Sequence, residues 1–364
     1  MESSARILVE SAPVAAGRQR VWISVAKTAL GLTIVAVLLY SGRIDLEVVA
    51  QLAAIPLPVL ACLALLFAAL LLSVLRWGVL LRVMAVPIPF ISLYHFAAVG
   101  ILTSTLLPGS TGGDAVRAVY AWRAFGGGAS RIAVSLVADR VLALFGTLAL
   151  LLAFVISSWG RIQQTPGLAA LGRAMVLAVA ICAVATCALF FAPKLMLAFE
   201  QTFRRWPLIS SLIPKLSGLL MMLQKAPLAL LIAFGLAVAI QLLTVFAVIV
   251  IGNAIAPAAL STADYMFAVP LTTIANALPL TPSGLGVGEA AFDQICRWLE
   301  PGAGDVAYSS IFFSFRLVAL LIGLPGLVSL VVYRRGRPHQ YSAITELSHF
   351  KKEKDMNAPE RVRE

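Results

Sequence analysis

Two segments of this chain share one organisation, and each places charged residues inside an otherwise apolar region. Residues 102–118 read LTSTLLPGSTGGDAVRA and lead into ADRVLALFG at 138–146, whereas residues 271–292 read LTTIANALPLTPSGLGVGEAAF and lead into FRLVALLIG at 315–323. Each unit has an apolar run, a Pro/Gly break, a restarting helix with an acid, and an apolar helix containing Arg-x-x-Ala-Leu. Duplicated units with broken helices are typical of transport pathways through membranes.

The composition indicates an all-α integral membrane protein with several spans. The 364 residues are 60% hydrophobic and 12% charged, and their mean hydropathy is +0.95, far from the globular average. The formal net charge of +11 comes from basic residues at the ends of apolar segments and in the tail. That placement favours the bilayer, with its anionic lipid surface, as the partner, and it argues against nucleic acid.

The cysteines and histidines do not predict a metal or redox site. The 4 cysteines lack the paired short spacing of such sites, and the 3 histidines are scattered along the chain. We therefore predict that the protein uses no metal and no cofactor.

Six apolar segments have about the 20 residues that a helix needs to cross a bilayer. They are residues 23–40, 57–81, 132–157, 172–192, 227–251 and 306–333. Two further segments, 90–125 and 265–299, begin apolar but break at Pro108-Gly109 and between Pro279 and Gly288. Because Pro and Gly interrupt helical backbone, each segment is either one span plus a loop or a re-entrant hairpin.

The distribution of Lys and Arg favours hairpins, since cytoplasmic loops carry the excess of these residues. With the N-terminus inside, hairpins place most basic residues, including Arg76 and Arg117, on the cytoplasmic side. Only Arg43, Arg161, Arg173 and Arg297 remain outside. Ordinary spans would turn the basic loop 194–225 outward instead. Three spans separate the two hairpins, so the repeat is predicted to be inverted in topology.

The chain is accordingly predicted to have three parts. A cytoplasmic leader covers 1–22, and a transmembrane domain covers 23–333, with repeat units at about 90–157 and 265–333. A basic cytoplasmic tail covers 334–364, where the mixed charge is too high for a packed core and predicts disorder. The location expected for such a multi-pass protein is the plasma membrane, here a bacterial inner membrane, with both termini in the cytoplasm.

The backbone of the restarting helices is a candidate anion site. These helices begin near Thr111, Gly112 and Gly113 in the first unit and near Gly286 and Gly288 in the second. Free N–H groups and the positive end of the helix dipole at such positions suit a phosphate. The alternative is that the glycines only let helices pack closely, as small residues commonly do in membranes.

Charged side chains inside the apolar segments are the stronger signal, because each costs about 2.5–3.5 kcal/mol at a helix centre on insertion scales. Asp114 and Arg117 are three residues apart and share a helix face, so they are candidates for pairing. Asp139 and Arg140 lie within the third span, and Arg316 occupies the equivalent repeat position in the last.

We expect Arg140 and Arg316 to point inward and to bridge to Asp114, to Glu289 or to a substrate phosphate, which Arg holds with two donors. Glu289 and Asp293 form an acidic stripe that needs a cation. The alternative is a purely structural ion pair, or an arginine that reaches the membrane interface.

The strings PGSTGGDAVR, DRVLAL, TPSGLGVGEAA and FRL together resemble the membrane region of the lysylphosphatidylglycerol synthase family, also described as flippase-like. The resemblance extends from about the first span to about Tyr333, and Pro-x-Gly-Leu-Gly-x-x-Glu is its most specific part. This chain has Asp114 where the family often has a glutamate, which is a mild departure because the negative charge is kept.

The resemblance implies a membrane module that handles lipids, which in full-length synthases is thought to move aminoacylated phosphatidylglycerol between leaflets. By motif, it implicates Asp114, Arg117, Asp139, Arg140, Pro282, Gly284, Gly286, Glu289 and Arg316. The synthases also carry a large soluble domain that transfers the amino acid from tRNA. This chain extends about 30 residues beyond the last predicted span, so we expect no aminoacyl transfer from it alone.

The sequence therefore favours a carrier, not an enzyme, that translocates an anionic phospholipid or lipid-linked headgroup through a polar intramembrane cavity. One alternative is a membrane-embedded transferase with Asp139 or Glu289 as general base, although no nucleophile–base spacing or nucleotide loop is present. Another is an accessory subunit of a lipid or envelope biosynthesis enzyme. Assembly into a homo-oligomer is left open.

Overall fold

All regular secondary structure in the described residues is helical. A computed structural model describes residues 14–106, 112–125, 128–163, 166–177, 179–181, 184, 221–277, 280–302 and 306–335. The predicted break at Pro108-Gly109, most of the loop 194–225, much of the span 172–192 and nearly all of the tail lie outside these ranges.

Eleven helices of the described chain make up the two repeat units and the segments that precede them. They are α1 (Val14–Tyr40), α2 (Leu46–Ala53), α3 (Pro56–Val83), α4 (Phe90–Leu106), α5 (Gly112–Phe125), α6 (Ala129–Ser157), α7 (Pro227–Ile255), α8 (Thr262–Ala277), α9 (Val287–Leu299), α10 (Tyr308–Leu321) and α11 (Pro325–Arg335). A single 3₁₀ turn, Pro282–Gly284, lies between α8 and α9.

Four helical segments are long and apolar enough to cross a bilayer. They are α3, α6, α7 and the stretch Tyr308–Leu330, which match four of the six predicted spans. The apolar helix Val25–Tyr40 is shorter, although α1 as a whole already begins at Val14, inside the predicted leader. The chain is a multi-pass membrane protein.

The last predicted span is interrupted, which the sequence prediction did not include. Ile322, Gly323 and Leu324 donate hydrogen bonds to carbonyls only three residues earlier, and α11 then starts at Pro325. Proline has no N–H and its ring clashes with the preceding turn, so the helix tightens and restarts here.

Both predicted breaks separate pairs of helices that pack against each other. In the first unit α4 packs on α5, and in the second α8 packs on α9. The units also exchange contacts in the same way, because α6 packs on α8 while α11 packs on α4. The helices that precede the two units, α3 and α7, form the most extensive helix pair of the described chain.

Small residues allow these helices to approach closely. A Cβ atom at Gly146 on α6 would lie 2.8 Å from the backbone carbon of Ala237 on α7. Two clusters of buried apolar side chains fill the bundle, one around α7, α8 and α9 and the other around α3, α4 and α5. The charged residues of the repeats lie beside these clusters.

Candidate functional site

A cavity of about 100 Å³ lies between α3, α4, α5 and α6, within the first repeat unit and the span before it. Its lining combines small and apolar residues with three charged side chains. The lining residues are Leu70, Ser73, Ala97, Gly100, Ile101, Ser104, Gly113, Asp114, Arg117 and Arg140. A small cavity with charged walls beside a helix break has the form expected of a binding site for a polar group.

The helix break and close packing bring Asp114 to this cavity. Gly113 on α5 lies so close to the Gly100 carbonyl of α4 that a Cβ atom would have no room there. This contact sets the first turn of α5 against the cavity, and Asp114 occupies that turn. A carboxylate is stabilised there by the helix dipole.

Asp114 is the shared partner of two arginines. Its Oδ2 accepts from Arg140 Nε at 2.6 Å and pairs with Arg140 Nη2 at 2.5 Å, while its Oδ1 accepts from Arg117 Nη1 at 3.4 Å. The Arg140 side chain is 64% exposed and that of Arg117 only 12%. The pairing expected from sequence is therefore present, and the two guanidinium groups lie at different depths.

Arg117 is the less satisfied of the two arginines. Its Nε and Nη2 atoms are buried and have no hydrogen-bond partner among the described residues. These two nitrogens form the side edge of the guanidinium group, which binds two oxygens of a phosphate or carboxylate together. The Cζ atom lies 4.4 Å from the centroid of the Trp77 ring, over its face. A buried two-donor edge without a partner is unusual in proteins.

The second break differs, because both terminal nitrogens of its arginine donate hydrogen bonds within the protein. Arg316 donates to the carbonyls of Ser283 (2.6 Å) and Gly284 (3.0 Å), and its Nε lies 2.6 Å from Glu289 Oε1. Glu289 is wholly buried and also accepts from the Gly286 N–H at 2.8 Å, which caps α9. Arg316 thus neutralises a buried carboxylate and satisfies carbonyls that the broken helix leaves free.

The glycines of this break are required by its backbone. Gly284 and Gly286 have φ angles of +72° and +80°, which side-chain-bearing residues rarely adopt. Pro282 starts the 3₁₀ turn, and Gly288 lies under the ends of Asn276 and Arg316, where a Cβ atom would come 2.5 Å from Asn276 Oδ1. The alternative role for these glycines, close packing, accounts for their positions without a ligand.

The two units place their ion pairs equivalently. Asp114 and Arg140 are 26 residues apart, and Glu289 and Arg316 are 27 apart. The units also meet at their breaks, since Ser283 Oγ donates to the Ser104 carbonyl at 2.8 Å. Similar sequence positions therefore yield similar pairs, one open to a cavity and one closed.

Asp139 does not line the cavity. Its Oδ1 accepts from Arg76 Nε at 2.7 Å, and both side chains are 6% exposed. The sequence did not predict that Arg76 is buried within α3 and pairs across to α6, and its assignment to the cytoplasmic side stays a prediction. A buried acid opposite a buried arginine is a self-contained pair.

The predicted acidic stripe is neutralised by three arginines. Glu289 pairs with Arg316, whereas buried Asp293 accepts from Arg43 at 2.6 Å and from Arg297 at 2.9 Å through Oδ2. Arg43 and Arg297 were predicted to lie on the outer side, and their pairing with Asp293 was not predicted. They share a partner that lies 250 residues from Arg43 in sequence.

Some predicted site residues are not described by the structure, and some residues near the site were not predicted. Thr111 lies outside the described residues, and Gly112 begins α5. Trp77 and Asn276 were missed, because an aromatic or an amide inside an apolar helix gives no signal without its neighbours. In the described part of the chain, no group of three or more His, Cys, Asp or Glu residues is placed to hold a metal ion.

The sequence pattern described as the lysylphosphatidylglycerol synthase TM region matches residues 25–326, most of the chain. The chain belongs to this family. The lysylphosphatidylglycerol synthase membrane-region family assignment supports a lipid-related function within the membrane. Comparison with curated proteins and with solved structures found no match.

Proposed function

We propose that this protein is a carrier that translocates an anionic phospholipid or lipid-linked headgroup between leaflets. The observation that carries the proposal is the buried Nε–Nη2 edge of Arg117, which has no partner among the described residues and belongs to a cavity-lining side chain. Two adjacent donors held in one plane match two oxygens of a phosphate.

The charge of the cluster supports an anionic ligand. Arg117 and Arg140 share the single carboxylate of Asp114, so the cluster has one excess positive charge inside a membrane domain. An unpaired charge at that depth is costly, and a phosphate would offset the cost. The acyl chains of a lipid ligand would stay in the bilayer while its headgroup occupies the cavity.

The depth of the two arginines suggests an order of contact. Arg140, with its side chain 64% exposed, would meet the headgroup first, and Arg117, 12% exposed, would hold it deeper. Arg316 would have another role, because its donors already bind Ser283, Gly284 and Glu289. It would keep the second break closed.

The proposed topology is the inverted repeat expected from the sequence. In it, α4–α5 and α8–α9 are re-entrant hairpins that enter from opposite faces and meet within the bilayer. The reciprocal packing of α6 on α8 and of α11 on α4, together with the contact between Ser283 and Ser104, supports this arrangement. Alternating access would then arise from movement of one unit against the other.

Purified protein in liposomes provides the test. Vesicles with phosphatidylglycerol labelled in the inner leaflet should equilibrate the label between leaflets when they contain the wild type. Arg117→Gln should abolish the exchange, and Arg117→Lys should leave little, because an ammonium has no two-donor edge. Arg123→Gln, an exposed change on the same helix, is the matched control and should retain full exchange.

Three results would refute the carrier. They are wild-type vesicles that do not exchange label, an Arg117→Gln variant as active as Arg123→Gln, and a chemically altered lipid after incubation. The last result would instead favour the membrane-embedded transferase. Mass spectrometry of the recovered lipid distinguishes exchange from reaction.

A further inference from the structure

Trp77 lies beside the guanidinium group of Arg117. Trp77 is fully buried in α3, and Arg117 Cζ lies 4.4 Å from its ring centroid. A cation over an indole face is attracted by the ring quadrupole, most strongly where water is excluded. The indole therefore stabilises the Arg117 cation at this position without supplying an oxygen or nitrogen acceptor to it.

The ring itself is held from the other side. Its Nε1–H donates to Ser135 Oγ at 3.1 Å, and Ser135 Oγ in turn donates to the Ile132 carbonyl at 2.7 Å. Arg76, the residue before Trp77 on α3, donates to Asp139, which lies on α6 as Ser135 does. Two adjacent residues of α3 thus anchor on α6, so the indole has a defined plane.

The remaining contact of Arg117 completes this geometry. Nη1 reaches Asp114 Oδ1 at 3.4 Å, while Nε and Nη2 have no partner in the described ranges. With Trp77 beside the cation and Nη1 toward Asp114, the Nε–Nη2 edge is the two-donor edge left for a ligand. Pre-organisation of this kind raises affinity, because less rotamer entropy is lost on binding.

We infer that Trp77 is a positioning residue that orients the Arg117 edge toward the two oxygens of a phosphate ligand. This inference rests on the proposed function and assigns to α3 a part in ligand binding that the repeat units alone do not supply. It also assigns a purpose to the anchoring of α3 on α6 by Arg76 and Ser135.

The test measures binding to detergent-solubilised full-length protein, with short-chain phosphatidylglycerol as the probe. Trp77→Leu, which removes the ring face, should raise Kd between about twofold and thirtyfold, the range that a cation–π contact supports. Trp77→Phe, which keeps a ring face, should stay closer to the wild type. Trp122→Leu, the same change at a tryptophan that is 48% exposed, is the control and should leave Kd unchanged.

Fluorescence supplies a second readout that does not depend on the stability of Trp77→Leu. Binding at the Arg117 edge should change Trp77 emission, so the titration signal of the wild type should exceed that of Trp77→Phe. Inorganic phosphate and short-chain phosphatidylcholine form two further arms. A response to phosphate alone assigns the site to free phosphate, and a response to the lipid alone assigns it to a headgroup.

Equal signals from the wild type and Trp77→Phe would overturn the inference, as would an unchanged Kd in folded Trp77→Leu. If wild-type protein exchanges lipid in vesicles and neither variant differs from it, the positioning role fails while the carrier stands. Absence of both binding and exchange in the wild type overturns the carrier as well.

Discussion

Arg140 and Arg316 occupy equivalent positions in the two repeats, yet their replacement by alanine should have opposite consequences. Arg140 is 64% exposed and pairs with Asp114, which keeps Arg117 as a second partner. Arg316 is 14% exposed and is the ion-pair partner of Glu289, which is wholly buried. Arg140→Ala should therefore abolish transport in a stable protein, whereas Arg316→Ala should destabilise the fold.

The magnitudes follow from burial. Removal of an arginine from an exposed pair costs about 0–1 kcal/mol of unfolding free energy. Removal of one partner from a buried pair costs about 3–5 kcal/mol, because the other charge is left without compensation. Arg316→Ala also leaves the carbonyls of Ser283 and Gly284 without a donor. The Gly286 N–H still binds Glu289, so we expect a loss near the lower end of this range.

The assay is reversible unfolding in mixed micelles with increasing SDS, with exchange of labelled lipid measured on the same preparations. The double variant Glu289→Gln/Arg316→Ala should recover more than half of the lost stability, since glutamine can accept from Gly286 without a buried charge. Equal losses in Arg140→Ala and Arg316→Ala would refute the reasoning. So would a double variant no more stable than Arg316→Ala.

Three further outcomes are expected. Gly146→Ala should lower the unfolding free energy measured by SDS titration, because its Cβ atom would lie 2.8 Å from the backbone of α7. The control Gly235→Ala should not lower it, because no atom lies within 4 Å of a Cβ atom at that position. Asp139→Asn should lower the unfolding free energy by about 3–5 kcal/mol in the same titration, because Asp139 is the buried partner of an arginine. If Asp139 were instead a general base, the variant would be folded but inactive. A disulfide between cysteines placed at 104 and 283, in a background without native cysteines, should stop lipid exchange reversibly, and unchanged exchange would contradict relative movement of the breaks.

The class of fold and the positions of the breaks could be read from the sequence. Apolar content and the effect of Pro and Gly on helical backbone are local properties, so four of the six predicted spans and the helix pairs around both breaks are found in the structure. The turn before Pro325 has an equally local cause and was missed because the apolar pattern continues through it. The first span and the segment 172–192 stay predictions.

The site was predictable as a set of charges but not as an arrangement. The sequence predicted that Arg140 and Arg316 bridge to Asp114, to Glu289 or to a phosphate, and the structure pairs Asp114 with Arg140 and Glu289 with Arg316. The sequence did not predict that Asp139 pairs with Arg76, because the two residues are 63 positions apart and meet only when α3 packs on α6.

What the sequence determined by itself is a membrane-embedded helical protein of a lipid-related family, with two broken units that each hold an acid and an arginine. These features depend on hydrophobicity and on backbone chemistry within a few residues. Only the tertiary structure decided that Arg316 binds two carbonyls and the buried Glu289, whereas the Nε and Nη2 atoms of Arg117, beside Trp77, have no partner among the described residues. That difference depends on distances between helices far apart in the chain, which packing sets and sequence spacing does not encode.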